Sequence, residues 1–384
     1  MANGTFNLLV GPAVASDGHS EATIGAIVAS ASVASLATRI PAGNIFRPAR
    51  VTALVLAGSV CTAIGCVGLP LVSGASALAL LGALQGAGFA LATTIGMAAL
   101  IERRHPATTA GSLMGWYTGS IGAGYAIAGF AGGALADAIG LAGAFAAAAA
   151  TASVSGVVTV WALRRLPVYR HEQDGDVPPP RGWIRGLPPG VWLGASVALY
   201  INVVNGGLNA FFPLYGLAIG LTLAQIGALS GVHATLASAI RFGAGTLLGR
   251  VSTRFTIVVT VLVIAFGVTL LAATRAFGPL LVLFAAVGLA RGVLRVVSGA
   301  LVMEAAGPSS RHRGRASGVY LAGLDLGNAV GPLLGGAVSE VAGIRASFPV
   351  LGLASAALFL SVALVCFGSV IGRGHGTSVR PEVP

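Results

Sequence analysis

Two stretches of this chain carry the same glycine skeleton, and a repeat that long commits the fold to two equivalent halves. The second copy has Gly318, Gly327, Gly331-Pro332 and Gly335-Gly336, and the first has Gly115, Gly124, Ala128-Gly129 and Gly132-Gly133 at the same spacing. The same offset of 203 pairs Gly111 with Gly314, Tyr117 with Tyr320, Asp137 with Glu340, Gly140 with Gly343 and Phe145 with Phe348. Gly327, Gly331 and Gly335 recur every four residues, so they line one face of a helix. In an apolar segment such a face lets a neighbouring backbone come close, because lipid supplies no hydrophobic push and packing must hold the helices. Pro332 lacks an amide donor and crowds the carbonyl of Asn328, which predicts a bend there. A smooth, bent helix suits a moving joint; static packing of small residues is the alternative.

The chain has 384 residues, 55% of them hydrophobic and 9% charged, with mean hydropathy +0.89, which excludes an ordinary soluble domain. Apolar spans fall at 22–38, 51–69, 76–100, 112–135, 141–163, 190–217, 222–248, 256–273, 279–303, 316–338 and 346–371. A twelfth stretch, Phe6 to Ala15, is too short to cross a bilayer. The repeat accounts for it: at an offset of 202, Asn3, Gly4 and Asn7 fall on Asn205, Gly206 and Asn209, in the middle of the seventh span. Hence the expectation is eleven full spans and a truncated first one, from a late start site or a shortened protein.

The net charge of +11 rests on 22 arginines with no lysine. They do not form a nucleic-acid-binding patch. Eighteen, from Arg39 and Arg47 to Arg373 and Arg380, are assigned to one side of the membrane and only Arg275 and Arg345 to the other. The positive-inside rule makes the first side cytoplasmic and puts both termini there once the first span is complete. A multi-pass protein of a bacterial inner membrane is expected. The polar segment 164–189, with Pro178-Pro179-Pro180, reads as a linker between an N-terminal bundle at 1–163 and a C-terminal bundle at 190–384. The three cysteines, Cys61, Cys66 and Cys366, lie in apolar spans at no metal-binding spacing.

On these residues the chain resembles the major facilitator superfamily of transporters. Its glycine skeleton is similar to the signature that exporters of that superfamily carry in the fifth span. Here the perfect copy is in the eleventh span, and the fifth has Ala128-Gly129 in place of Gly-Pro. Gln85-Gly86-Ala87-Gly88 in the fourth span resembles a second signature of drug:proton antiporters, but Gly82 stands where that signature has an arginine. The loop after the second span has Gly43 and Arg47-Pro48 without the family's aspartate. The resemblance implies an all-α membrane fold of two pseudo-symmetric six-helix bundles and export by alternating access. It does not carry over the coupling residues, which must come from the charges present.

Charges within the membrane cost roughly 2.5–3.5 kcal/mol each on insertion scales and therefore call for a role. Asp325, in the eleventh span, is the candidate proton carrier, with His233 of the eighth as a second. A permanent ion pair of Asp325 with Arg291 or Arg295 is the structural alternative. Arg291 and Arg295 lie four apart on one face of the tenth span, and one acid cannot neutralise both. A guanidinium fork suits a carboxylate or phosphate, so the pair is a candidate clamp for an anionic solute, unless Arg295 snorkels to the interface. Asn202, Asn205 and Asn209 share a face of the seventh span; with Asn3 and Asn7 they form a candidate amide lining, to which Gln85 belongs. Phe89, Trp116, Tyr117, Tyr200 and Tyr320 are candidate aromatic walls.

No nucleophile elbow, metal-ligand pair or phosphate loop is present in the sequence, so neither an enzyme, a cofactor nor a metal is expected. The expectation is a monomeric secondary transporter, a proton-coupled exporter of small organic molecules. The alternatives are a carrier of an organic anion and a non-transporting protein on a transporter scaffold.

Overall fold

The computed structural model describes residues 1–103, 110–166, 187–248, 252–307 and 310–372, all of it helix, turn or short connection. Among the described residues twelve α-helices follow in order: α1 (Ala2–Ser16), α2 (Glu21–Ile45), α3 (Val51–Gly68), α4 (Ala75–Glu102), α5 (Ala110–Arg165), α6 (Pro189–Ala218), α7 (Leu223–Leu248), α8 (Thr253–Leu271), α9 (Phe277–Ala306), α10 (Ser310–Ala342), α11 (Ile344–Pro349) and α12 (Ser355–Gly372). They supply the spans the hydropathy demanded. The fifth and sixth spans are joined in α5, which breaks at Gly140 with φ 78°, a left-handed conformation that glycine adopts without strain. Its repeat partner Gly343, with φ 80°, makes the same corner between α10 and α11. A π-helical turn, Val350–Ala354, joins α11 to α12, so these two helices are one span. Most of the polar segment, residues 167–186, lies outside the described residues.

Within the first half, α2 and α3 pack on α4, and α1 and α3 on α5; within the second, α10 and α9 pack on α6, and α7 and α8 on α9. Two long seams join the halves, α5 with α7 and α2 with α10. The glycine skeleton divides its labour between these two kinds of contact. One stripe packs inside its own half. A side chain at Gly327 would stand 2.5 Å from the carbonyl of Leu199 in α6, and one at Gly132 3.1 Å from the hydroxyl of Thr5 in α1. The other stripe faces the opposite half. A side chain at Gly129 would meet the backbone of Gly231 in α7 at 2.5 Å, and one at Gly336 the carbonyl of Glu21 in α2 at 2.8 Å. Gly133 abuts Leu223 of α7, and Gly25 of α2 abuts the carbonyl of Pro332. Glycine allows these approaches because nothing projects between the backbones.

Both seams close at the arginine-poor end, and each is finished by an acid. Asp137 accepts hydrogen bonds from the backbone N–H groups of Leu223 (3.1 Å) and Ala224 (2.8 Å) at the start of α7. Glu340 accepts from the N–H of Ala22 (3.1 Å) at the start of α2. The first N–H groups of a helix have no partner of their own and carry positive partial charge, so a carboxylate there satisfies both needs.

One expectation needs correction here. Arg39 was counted among loop arginines with the second span ending at residue 38, but α2 runs on to Ile45 and holds Arg39 inside the helix. The helix continues through Pro41 because that proline removes an amide donor but leaves the preceding turns packed on α4 and α10.

Candidate functional site

Between the halves, from the closed seams towards the arginine-rich end, lies a cavity of about 570 Å³. That size lies in the range of small-molecule sites. It takes its walls from α1, α2, α4 and α5 of the first half and from α6, α7, α9 and α10 of the second.

Asp325 lines the cavity, and its carboxylate accepts a hydrogen bond from Arg39 Nε at 2.6 Å. The pair joins α10 of one half to α2 of the other. The sequence alternative paired Asp325 with Arg291 or Arg295; the structure gives it to Arg39 instead. The side chains are 26% and 11% exposed for Arg39 and Asp325, so the pair is largely withdrawn from solvent while still reached from the cavity. Asp325 has no sequence counterpart in the first half, where its repeat position holds Gly122.

Arg291 and Arg295 of α9 both line the cavity. Arg291 Nη1 lies 3.3 Å from His233 Nε2 of α7. A guanidinium can only donate, so Nε2 accepts and His233 is neutral, with its ring proton on Nδ1. A proton reaching Nε2 must first displace Arg291. Arg295 forms no salt bridge among the described residues. Its own backbone carbonyl accepts from the hydroxyl of Tyr320 at 3.3 Å. In the first half, Tyr117 donates likewise to the carbonyl of Thr93 in α4 at 2.6 Å.

The amides line both halves of the cavity. Gln85, fully buried, donates from Nε2 to Asn3 Oδ1 at 2.8 Å, and Asn3 donates to the hydroxyl of Tyr125. Among the described residues, Gln85 Oε1 is buried without a hydrogen-bond partner, as is Asn202 Oδ1. Asn202 spends its amide N–H on the carbonyl of Leu324 at 2.8 Å, which ties α6 to α10. Asn7, Asn205 and Asn209 also line the cavity.

The structure thus brings together every polar candidate: Asp325, His233, Arg291, Arg295, Asn202, Asn205, Asn209 and Gln85. The aromatic expectation fares less well. Phe89 and Tyr117 line the cavity, whereas Trp116 is exposed and Tyr200 is buried against Phe359. Phe212, Phe284 and Tyr125 supply the remaining aromatic surface. Sequence reasoning missed Arg39 and Tyr125. A signal for Arg39 existed in its repeat, Arg241; for Tyr125, buried in the glycine skeleton, none did.

The Major Facilitator Superfamily matches this chain over residues 1–277 and 257–381. A curated relative, an uncharacterized MFS-type transporter of Methanocaldococcus jannaschii, is 23% identical over 246 residues; the match spans 62% of this chain and 62% of the relative's length. Among solved structures, a bacterial homolog of the human lysosomal transporter Spinster, inward-facing and unoccupied, aligns with TM-score 0.73 at 16% identity, covering 96% of this chain and 92% of that one. The nucleoside transporter NupG aligns with TM-score 0.74 at 13% identity over 96% of each chain. A D-xylose-proton symporter aligns with TM-score 0.73 at 15% identity over 94% of this chain and 91% of its own. These likenesses speak for the fold. With two pseudo-symmetric helical halves around a polar central cavity and a family match along nearly its whole length, the chain belongs to the Major Facilitator Superfamily.

Proposed function

We propose that this protein carries small organic molecules across the bilayer by alternating access, coupled to protons through Asp325. The observation that carries this reading is the cavity itself, with a carboxylate bound to an arginine of the opposite half and closed at one end by seams of backbone against backbone. Such seams can part and reclose with little rearrangement, because at Gly129, Gly133, Gly227, Gly25 and Gly336 backbone meets backbone across them. Asp325 is the one carboxylate among the described lining residues, and a proton there replaces a charged link between the halves with a neutral one. His233 is the second proton candidate, available once Arg291 leaves it.

Outward transport is supported by the resemblance of the glycine skeleton to that of exporters. The arginine bias supports an inner-membrane location with the arginine-rich end cytoplasmic. The repeat supports two bundles, 1–163 and 190–384, working as a monomer without a cofactor. The second reading, a carrier of organic anions, is favoured by Arg295 on the cavity wall without a salt bridge among the described residues.

The test is solute-driven proton movement in proteoliposomes holding a pH gradient, with a pH-sensitive dye. Cationic, neutral and anionic compounds are added to the wild-type protein and to Asp325→Asn. A compound class that collapses the gradient only in wild type supports the reading. Solute movement without protons in both proteins removes Asp325 from the coupling, and no movement of any solute overturns transport.

A further inference from the structure

The cavity holds an unequal set of charges. Arg39, Arg291 and Arg295 line it, and Asp325 is the only acid among the described lining residues. His233 is neutral while Arg291 donates to it, and the phenols of Tyr117 and Tyr125 also line the cavity. The groups facing Asp325 from the helices packed on α10 are Arg39 from α2, Arg295 from α9 and, from α6, the uncharged Asn202, while Arg291 of α9 is turned to His233. Three fixed positive charges against one negative leave the site cationic, and the low-polarity walls from Phe89, Phe212 and Phe284 strengthen its pull on an anion.

From this arrangement we infer that the site binds an organic anion and a proton together, the anion on Arg39 and Arg295 and the proton on Asp325, so that the two cross in the same direction. The inference rests on the transport reading and deepens it by naming the solute class and the sign of the coupling. With Asp325 ionised, its carboxylate occupies Arg39 and opposes an incoming anion. Once protonated, it no longer holds Arg39 as an ion pair, and an anionic group of the solute takes its place. Linkage makes this reciprocal: the anion that binds better to the protonated site must in turn tighten its hold on the proton. For an anionic solute the coupling is therefore cotransport, opposite to the exchange that the exporter resemblance implies.

The experiment uses two fluorescent probes of nearly the same shape, dansylglycine, an anion, and its neutral amide, with the full chain in nanodiscs at about pH 5.5 and about pH 8. Dansylglycine should bind roughly tenfold more tightly at the lower pH, an ordinary size for coupling between two sites. The amide should bind weakly at both. Asp325→Asn should bind dansylglycine at both pH values with the low-pH affinity of wild type, and Arg295→Gln should lose the preference for the acid. Equal binding of the two probes, no binding of either, or tighter binding of the acid at the higher pH overturns the inference. The wild-type pH comparison stands even where a variant fails to fold. Uptake of neutral solutes into proteoliposomes is read in parallel. Movement of a neutral solute with no preference for the acid overturns the inference and leaves transport standing, whereas immobility of every solute overturns the transport reading itself.

Discussion

Asp137 and Glu340 hold equivalent places in the two halves, and each carboxylate ends on the first backbone N–H groups of a helix from the other half. The two caps finish the two seams at the same end of the molecule, where the cavity is shut. They exist only while that end is closed, so they stabilise one state of the transport cycle over the other. Asp137→Asn and Glu340→Gln remove the charge and weaken the cap. Each should cost the closed state about 0.5–1 kcal/mol, a two- to fivefold shift towards opening. Spin labels at the exposed positions Leu71 and Val341, one in each half, report it as a larger long-distance population. An unchanged distance distribution in both variants would show that the caps do not bias the cycle.

Gly133 tests the seam itself. A side chain there meets the carbonyl of Leu223, and backbone cannot swing aside as a flexible side chain would. Gly133→Val should hold the α5–α7 seam apart and cut transport at least tenfold, for a barrier increase of about 1.4 kcal/mol or more. Gly74→Ala, where nothing lies within 4 Å, is the control and should leave transport unchanged. Transport by Gly133→Val at the rate of the control would mean the seam does not need to close this tightly.

The link between Arg39 and Asp325 can be weighed by a mutant cycle. Arg39→Gln leaves a largely buried carboxylate without its cation, and Asp325→Asn leaves the arginine without its anion. Because the pair is partly reached by solvent, each change should cost about 1–3 kcal/mol, below the range of a fully buried pair. The double variant should lose less than the sum, read as thermal unfolding in detergent. Strict additivity would mean the bond contributes nothing as a pair.

His233 serves Arg291 as an acceptor, and that role separates from proton uptake by substitution. His233→Gln offers an amide oxygen in place of Nε2 and should keep substrate binding within about threefold. His233→Leu takes a buried acceptor away from Arg291 and should weaken folding by about 1–3 kcal/mol. Binding and transport measured across pH decide between the roles: loss of proton coupling in the glutamine variant would make His233 a proton carrier after all.

Legibility from sequence followed the length scale of the physics involved. Crossing a bilayer needs a run of apolar residues, and close helix packing in lipid needs small residues at helical spacing, so spans, repeat and glycine stripes could be read locally. The intramembrane charges were legible too, since lipid penalises them wherever they occur. Their partners were not. Asp325 is bonded to Arg39, 286 residues away and in the other half, rather than to the arginines of the neighbouring span. The boundary of α2 was misplaced for a related reason: an arginine marks the end of an apolar run, but this helix continues because α4 and α10 cover it.

The amino-acid sequence by itself determined that the chain is a membrane protein with a repeated glycine skeleton, with most of its arginines between the apolar runs and a small set of polar groups within them. Only the tertiary structure decided which of the two stripes of each glycine skeleton faces the opposite half, that Asp137 and Glu340 cap helices across the seams, and that one acid among three arginines answers to Arg39. Periodicity and hydropathy act along one helix, whereas a seam, a cap or an ion pair depends on how two distant helices are brought into register, which no local pattern encodes.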